Sequence, residues 1–447
     1  MQRILFCCAL VFMASCGTEE VNENNFAQDA TFLGVLEAVD SYGGSGDETA
    51  QAVVSTTDGG FAVLGYTNST NGDLANKSTG VNDYWLLKFS AAGALQWQQT
   101  YGGSKDDRGQ ALVQTRDGGY ALTGYAMSSD GDGSQNQGFH DNWLLKLDPS
   151  GTIEWEKSFG FSGHDHSYDI LQTEDNGFFF TGFLDITSAR ADGYGNKGAN
   201  LTRHGVGEFW STKIDARGNL QWRGYFGGSN NDRAHAVARA QDGGFVMAGF
   251  TESNDYDISA TNGSYDFWLV KTDANGNFLW ERSFGGSGVD IAHDIITTQD
   301  GGHVVVGSSF STDGDVAAPR GQSDVWMIKV DDDGTLLWER SFGGADFDAA
   351  QAVFQGKEGS LYLVGNSKSG SGDLNGNAGE NDMWLLKTDP EGKLQWQRPL
   401  GGSQMDFAHD VLEMDQGGLI VVGETNSPDF PGAEHKGGTD LVVVRLR

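Results

Sequence analysis

Six tryptophan pairs, whose members stand twelve residues apart, constrain the fold of this chain more than any other feature. Between the members of each pair, two alternating apolar runs flank a turn, as in residues 83–103, DYWLLKFSAAGALQWQQTYGG. Alternation with a period of two on either side of such a turn predicts a β-hairpin. A hairpin folded about Ala91 places Trp85 opposite Trp97. The pairs use all 12 tryptophans of the protein and are Trp85/Trp97, Trp143/Trp155, Trp210/Trp222, Trp268/Trp280, Trp326/Trp338 and Trp384/Trp396.

The hairpin is part of a longer repeat that covers most of the 447 residues. A glycine, usually doubled, marks the start of each unit, and most starts lie 58 or 59 residues apart. The second unit predicts strands at residues 110–115, 120–126, 142–148 and 153–159, which are separated by turns and one long loop. The starts are Gly43, Gly102, Gly160, Gly227, Gly285, Gly343 and Gly401.

Seven units of four antiparallel strands predict an all-β fold, a single seven-bladed β-propeller. The seventh unit begins its hairpin at Asp440 and stops after one strand. Residues 33–42, LGVLEAVDSY, precede the first unit and carry Ala38 in the tryptophan position. The N-terminal strand is therefore expected to complete the last blade and close the ring, which removes the exposed sheet edges.

All three cysteines of the chain, Cys7, Cys8 and Cys16, lie in the first sixteen residues. The folded body therefore has no disulfide and no thiolate metal site. Arg3 and the apolar residues 4–14 predict a signal peptide. We divide the chain into a signal peptide at 1–15, a lipidated cysteine with a polar, acidic tether at 16–31, and the propeller at 32–447.

The segment Met13-Ala14-Ser15-Cys16-Gly17 resembles the lipobox of bacterial lipoproteins. The resemblance implies cleavage before Cys16 and a lipid on that residue; an ordinary secretory signal is the alternative. Glu19 and Glu20 resemble the acidic export signals of surface lipoproteins in the Bacteroidota. We expect the protein to be lipid-anchored in a bacterial outer membrane and to face the cell surface.

The repeat carries two further resemblances. LDPSGTIEW, with Asp148, Gly151 and Trp155, resembles the tryptophan-docking motif of quinoprotein-type propellers. The whole repeat resembles those of Bacteroidota surface lipoproteins built of β-propeller repeats. The first resemblance covers only the docking tryptophans, so it implies no redox cofactor.

Composition excludes several classes of function. A formal net charge of −33 argues against nucleic acid as a partner, because phosphate binding needs a basic face. No G-x-S-x-G, P-loop, H-E-x-x-H or dinucleotide fingerprint occurs, so we assign no catalytic residue and expect no cofactor. Loops with Asp and Asn beside Gly leave weak surface calcium sites open, although none has the EF-hand ligand spacing.

Positions that recur in every unit are expected to hold the blades together. One acid follows the start of each unit, and one cation follows the first tryptophan position of each unit. Each of the two sets therefore has seven members. The acids are Glu48, Asp107, Asp165, Asp232, Asp290, Asp348 and Asp406. The cations are Lys88, Lys146, Lys213, Lys271, Lys329, Lys387 and Arg445. We expect the cationic heads to reach a recurring carboxylate.

A third recurring position lies three residues after these acids. If the first strand of each blade is innermost, its side chains surround the axial channel. Three of the residues at this position are histidines, so a metal site is an alternative to a hydrated polar channel. The three histidines belong to blades four, five and seven, which are not contiguous. We assign no metal. The channel residues are Gln51, Gln110, Tyr168, His235, His293, Gln351 and His409.

Unit three contains the one large insertion, which is locally basic and aromatic in an acidic protein. A lone insertion on a repeat scaffold is a candidate partner contact, and a tolerated surface extension is the alternative. Its candidate contact residues are Arg190, Tyr194, Lys197, Arg203 and His204.

The sequence thus favours a non-enzymatic, surface-exposed lipoprotein that serves as a protein-binding scaffold or an accessory subunit of an outer-membrane complex. A lipoprotein that binds glycans, with polysaccharide as its partner, is the second hypothesis. A propeller hydrolase or lyase that uses axial acids and histidines is the third.

Overall fold

The computed structural model describes residues 34–161, 163–184, 207–374 and 376–447. These residues form 28 strands in seven four-stranded antiparallel sheets, so the predicted seven-bladed propeller is confirmed. In blade two, the second and fourth strands match their predicted bounds, and the first and third begin three residues and one residue earlier. One short 3-10 helix, Gly72–Leu74, lies in a loop of blade one. Among the described residues, no helix has both the length and the apolar character needed to cross a membrane.

The strands are numbered in chain order, and each blade uses four of them. Blade one contains β2 (Glu48–Ser55), β3 (Phe61–Thr67), β4 (Asp83–Phe89) and β5 (Leu95–Tyr101). Blade two contains β6 (Asp107–Gln114), β7 (Tyr120–Ala126), β8 (Asp141–Leu147) and β9 (Ile153–Phe159). Blade three contains β10 (Asp165–Gln172), β11 (Phe178–Leu184), β12 (Glu208–Ile214) and β13 (Leu220–Phe226). Blade four contains β14 (Asp232–Arg239), β15 (Phe245–Thr251), β16 (Asp266–Thr272) and β17 (Phe278–Phe284).

The remaining blades follow the same order until the ring closes. Blade five contains β18 (Asp290–Thr297), β19 (His303–Ser309), β20 (Asp324–Val330) and β21 (Leu336–Phe342). Blade six contains β22 (Asp348–Gln355), β23 (Leu361–Ser367), β24 (Asp382–Thr388) and β25 (Leu394–Leu400). Blade seven contains β26 (Asp406–Glu413), β27 (Leu419–Thr425), β28 (Asp440–Leu446) and β1 (Leu36–Tyr42).

The N-terminal strand closes the ring as predicted. β1 pairs antiparallel with β28, with Val39 opposite Val444 and Tyr42 opposite Leu441. Without β1, the edge of β28 would be open, and unpaired backbone groups at such an edge invite pairing with other chains. The first and last segments of the chain thus share one sheet.

The two tryptophans of each hairpin do not face each other, so that prediction was wrong. In blade one, Trp85 lies opposite Thr100, and Trp97 lies opposite Lys88. The turn closes between Ser90 and Ala94 rather than about Ala91, and the register also shifts beyond Lys88. The two indoles therefore occupy different levels of the hairpin. The first is fully buried within the blade, whereas the second is only partly covered.

The second tryptophan docks on the next blade. Trp97 of blade one covers the turn glycine Gly151 of blade two, where an added Cβ would come within 3.1 Å of the indole ring. Gly151 has a φ of 84°, a left-handed conformation that favours glycine. In blade seven Ala38 replaces the tryptophan, and Arg445 lies over the equivalent Gly93 instead. The same contact recurs at Trp155/Gly218, Trp222/Gly276, Trp280/Gly334 and Trp338/Gly392.

The recurring charged residues link the segments of each blade. The first acid accepts the N–H of the glycine turn, as Asp290 does from Gly286 at 2.8 Å. The recurring lysine binds the aspartate of the Asp-Gly-Gly turn, as Lys271 binds Asp242 at 3.0 Å. These contacts satisfy buried polar groups, which would otherwise be costly. Their role is structural, as their recurrence indicates.

Candidate functional site

The geometry of the ring defines an upper face. Parallel bridges join the residue before the third strand of one blade to the residue before the first strand of the next, as His140 joins His164. First and third strands therefore begin on the same side of the ring, which we call the upper face. The first strands of neighbouring blades contact one another, so they are innermost and surround the axis. The loops between second and third strands also open on the upper face.

All seven predicted channel residues line a single axial cavity of about 340 Å³. Each is the extra residue of a β-bulge in its first strand. In blade five, for example, the register passes from Ala292 to Asp294 and leaves His293 unpaired. A bulge re-aims the side chain of the extra residue, and here that side chain faces the axis. The equivalent residues are Gln51, Gln110, Tyr168, His235, Gln351 and His409.

The axial histidines do not share one point. His235 stacks on His293 with ring centroids 5.5 Å apart, and its Nδ1 lies 2.7 Å from the carbonyl oxygen of Ala292. His409 lies beside Glu424, with Nε2 and Oε2 3.9 Å apart. Burial lowers the pKa of His235 to about 4 and that of His293 to about 3, so both rings are neutral near pH 7. This arrangement forms a polar wall rather than a shared ligand set.

Sequence reasoning missed three axial carboxyl groups. Asp169, Asp294 and Asp410 follow the bulge in blades three, five and seven, and the other four blades carry alanine there. One oxygen of Asp410 accepts the N–H of Val411, and the other accepts the N–H of Val53 in the next blade at 2.7 Å. The other two carboxyl groups repeat this pattern across their own blade junctions.

Each axial carboxyl therefore serves the amides of two blades, which explains the alternation of aspartate and alanine around the ring. Three carboxyl groups serve amides in six blades. Blade two is not served, because both its own residue, Ala111, and the equivalent residue of blade one, Ala52, are alanine. Buried backbone amides need such partners. The signal was present in the repeat alignment as an Asp/Ala alternation at one position.

The raised pKa values of these carboxyl groups predict how the stability of the fold depends on pH. Burial at the cavity wall raises the pKa of Asp410 from its ordinary 3.8 to about 8 and that of Asp169 to about 7. The folded state thus holds a proton that the unfolded chain has released, so stability falls as pH rises. For Asp410 alone we expect a loss of up to about 1.4 kcal/mol in the free energy of unfolding between about pH 7 and about pH 9.

Chemical denaturation at both pH values measures this slope, and Asp410→Asn should reduce it. His235 and His293 are neutral in the folded state over this range and mostly neutral in the unfolded chain, so they contribute little slope. Asp58→Asn is the matched control, because hydrogen bonds and Lys88 hold the pKa of Asp58 near 2, below the range. An unchanged slope in Asp410→Asn would contradict the assignment.

Two recurring positions of the upper face are polar in some blades and apolar in others. The residue before each first strand and the second residue of that strand are polar in blades one to four, where they are Asp47/Thr49, Asp106/Arg108, His164/His166 and Asn231/Arg233. In blades five to seven the same positions are apolar. Phe347 and Met405 are each 41% exposed, and Phe310 beside them is 42% exposed. We call Val289, Ile291, Phe310, Phe347, Met405 and Phe407 the apolar arc.

A histidine trio lies at the junction of blades two and three. His140 precedes β8, and His164 and His166 lie at the start of β10. Nδ1 of His140 is 3.0 Å from Nδ1 of His164 and 3.4 Å from Nε2 of His166. Burial lowers the pKa of His166 to about 2, so its ring is neutral. The sequence analysis assigned no metal and missed this trio, although the His-x-His spacing and its absence from every other unit were visible.

A larger cleft of about 830 Å³ opens on the opposite face between blades six, seven and one. Some of its charged side chains form ion pairs at the surface. Lys357 binds Asp415 at 3.0 Å, and Arg447 binds Glu37 at 3.0 Å. The cleft therefore offers mixed charge.

Two sets of predicted residues lie outside the described part of the chain and stay predictions. The first is the lipid attachment site Cys16. The second comprises the insertion residues Arg190, Tyr194, Lys197, Arg203 and His204.

The fold and the axial site define the chain as a seven-bladed β-propeller with a polar central cavity. No model of a known protein family matches it. The regulatory protein FlaEY of Caulobacter vibrioides is 28% identical over 142 residues, which cover 28% of this chain and 14% of that protein. The chain thus spans a small part of this relative.

Similar solved structures include BamB from Moraxella catarrhalis, at 12% identity and a TM-score of 0.41, with 90% of this chain and 86% of that chain covered. YCF48 bound to D1 peptide shows 10% identity and a TM-score of 0.45 over 92% and 99% of the two chains. A putative gluconolactonase shows 9% identity and a TM-score of 0.36 over 92% and 93%. These values carry no argument about function, and they do not separate a binding propeller from an enzyme.

Proposed function

We propose that this protein is a non-enzymatic scaffold, anchored to the outer membrane through a lipid on Cys16, that docks a protein partner on its upper face. The observation that carries the proposal is the apolar arc. Single exposed apolar residues are ordinary, but the apolar arc repeats apolar residues at equivalent positions of three neighbouring blades. Exposed apolar groups of this kind mark interaction surfaces.

The repeat supplies an internal control for this argument. If apolar residues were needed at these positions for folding, all seven blades would carry them. At the two recurring positions of the first strand, blades one to four carry charged or polar residues and fold in the same way. The apolar character of blades five to seven is therefore not required by the blade. Phe310 and Phe347, whose rings lie 5.8 Å apart, supply the aromatic side chains that anchor protein interfaces.

The insertion of blade three is proposed as a second contact with the same partner. It connects β11 and β12, which end and begin on the upper face at Leu184 and Glu208. Its basic and aromatic residues would add charge contacts to an apolar anchor. Such contacts affect the rate and specificity of association.

The axial cavity supports a non-enzymatic role. Each of its three carboxyl groups already accepts two backbone amides, which leaves these acids committed to holding blades together. A general acid or base must instead reach a substrate proton. The anchor rests on the lipobox resemblance at Cys16, and the surface location rests on the resemblance of the repeat.

The test is a native pull-down of the C-terminally tagged full chain from detergent-solubilised membranes, followed by mass spectrometry. We expect a stoichiometric partner, and the double variant Phe347→Asp with Met405→Asp should lower its recovery about tenfold or more, because charges replace buried anchors. Leu337→Asp is the matched control. Leu337 is 54% exposed but lies on the outer strand β21, away from the upper face.

Equal recovery from the arc variant and the control would refute docking on this surface. Deleting residues 189–203 tests the second contact in the same assay. Cys16→Ser should move the protein from the membrane fraction to the soluble fraction. If the wild type returns no partner but is retarded in polysaccharide gels, glycan binding replaces the proposal.

A further inference from the structure

The histidine trio at the junction of blades two and three has the geometry of a metal-ligand set. One ring nitrogen from each of His140, His164 and His166 lies within 4.8 Å of the other two. The measured pairs of 3.0 and 3.4 Å are close to the separation of roughly 3.3 Å between two nitrogens that each lie about 2.0–2.1 Å from a tetrahedral ion. Within the part of the chain that the structure describes, this group consists of the three histidines.

The outer nitrogens of two of these rings also have the surroundings of metal ligands. Nδ1 of His166 lies 3.2 Å from the hydroxyl oxygen of Tyr168, and the ring stacks on Tyr125 with centroids 3.9 Å apart. Nε2 of His140 is buried without a hydrogen-bond partner among the described residues, and Oδ2 of Asp106 lies 3.9 Å away. Metal-bound histidines commonly use their second nitrogen for such polar partners, which fix the ring orientation.

The repeat shows that this cluster is specific to one junction. The three histidines occupy three recurring positions: the residue before the third strand, the residue before the next first strand, and the second residue of that strand. No other unit has histidine at any of them. The next junction, for example, carries Gly207, Asn231 and Arg233. The fold therefore does not require histidine at these positions.

We propose that His140 through Nδ1, His164 through Nδ1 and His166 through Nε2 bind one divalent transition-metal ion, of which Zn²⁺ is the representative. Neutral imidazoles suit zinc, copper and nickel rather than calcium or magnesium. Three protein ligands leave the fourth position of a tetrahedral ion open. That position faces solvent, because His164 is exposed on the upper face.

The ion would cross-link two blades. His140 belongs to the loop before β8 of blade two, whereas His164 immediately precedes β10 of blade three and His166 lies within it. Tyr168 connects the ligand His166 with the axial cavity, which it lines. The site is thus positioned to hold this junction and to offer one exchangeable coordination position. It does not depend on partner docking at the apolar arc.

The test uses the full chain after treatment with a chelator and dialysis. Isothermal titration with Zn²⁺ is performed in excess Ca²⁺, which occupies weak carboxylate sites on this acidic surface. We expect one equivalent to bind with a Kd below about 1 μM, and Co²⁺ in its place to give the visible spectrum of a tetrahedral ion.

His164→Ala should weaken Zn²⁺ binding by at least about 100-fold, since even partners of the ligands change affinity by about 10–100-fold. Its side chain is exposed, so the variant should fold, which circular dichroism checks. His435→Ala, a partly exposed histidine at another junction, is the matched control and should bind as the wild type does. Absence of binding in the wild type, or equal binding by His164→Ala and His435→Ala, would overturn the assignment.

Discussion

A chain that begins at residue 43, and therefore lacks β1, is expected not to form a stable monomeric ring. Loss of β1 exposes the whole edge of β28, including the backbone groups that pair with Val39 and Tyr42 in the intact ring. It also removes apolar contacts at both neighbouring blades. Leu36 and Val39 pack against the core between blades six and seven. The ring of Tyr42 packs on that of Phe89 in blade one, with the ring centroids 5.4 Å apart.

The consequence should be loss of cooperative unfolding and association through the open edge, because an exposed long strand is a template for further pairing. Thermal denaturation and light scattering after gel filtration measure both effects. The matched control is a chain that begins at residue 32, which keeps β1 and lacks only the segments before the propeller. A monomeric, cooperatively unfolding chain from residue 43 would show that the seventh blade does not need its fourth strand.

Addition of a peptide with residues 32–43 separates closure from a nonspecific folding defect. The peptide should restore the monomer if the missing strand alone is responsible. A variant peptide with Val39→Asp is expected to fail, since Val39 pairs with Val444 and packs in the core.

Closure could be predicted because it follows from counting strands. Each of the first six units has four strands, the seventh has three, and a spare strand precedes the first unit. The positions facing the axis could be predicted for a similar reason, since their place in the repeat puts them on the innermost strand. The bulge that turns Gln51 and its equivalents toward the axis was not visible, because one extra residue leaves no distinct pattern in alternation.

Register was the first feature that the sequence did not determine. Trp85 and Trp97 were expected to face each other, but with the turn closed between Ser90 and Ala94 the residue opposite Trp85 is Thr100, three residues beyond Trp97. A spacing between two residues fixes a pairing only when the turn is known. The second indole therefore contacts the turn glycine of the next blade instead of the first tryptophan of its own blade.

Contacts between blades were the second such feature. The carboxyl of Asp410 reaches Val53, which is 357 residues away in the chain. His140 likewise meets His166 across a junction. The histidines differ from their equivalents in every other unit, and the aspartate differs from the alanine of four units, so comparison of the units would have drawn attention to them. Only the closed ring shows which of the residues that differ from the repeat lie close to one another in space.

The recurring acids are expected to contribute strongly to stability, and Asp290→Ala should lower the free energy of unfolding by about 3–5 kcal/mol. Asp290 is fully buried and accepts three hydrogen bonds. Its donors are the N–H of Gly286 at 2.8 Å, the hydroxyl of Ser311 at 2.7 Å and the hydroxyl of Ser309. Removing the carboxyl leaves all three buried donors without their protein acceptor.

Asp273→Ala is the matched control for urea denaturation. Asp273 also accepts three hydrogen bonds, from Asn275 N–H at 2.8 Å and from the N–H and side-chain amide of Asn277 at 2.9 and 2.7 Å, but these lie at the surface of a turn. Water can take the place of its carboxyl, so the expected loss is about 1 kcal/mol or less. Equal losses in the two variants would mean that burial does not set the cost, and that the seven acids stabilise their turns locally rather than the blade core.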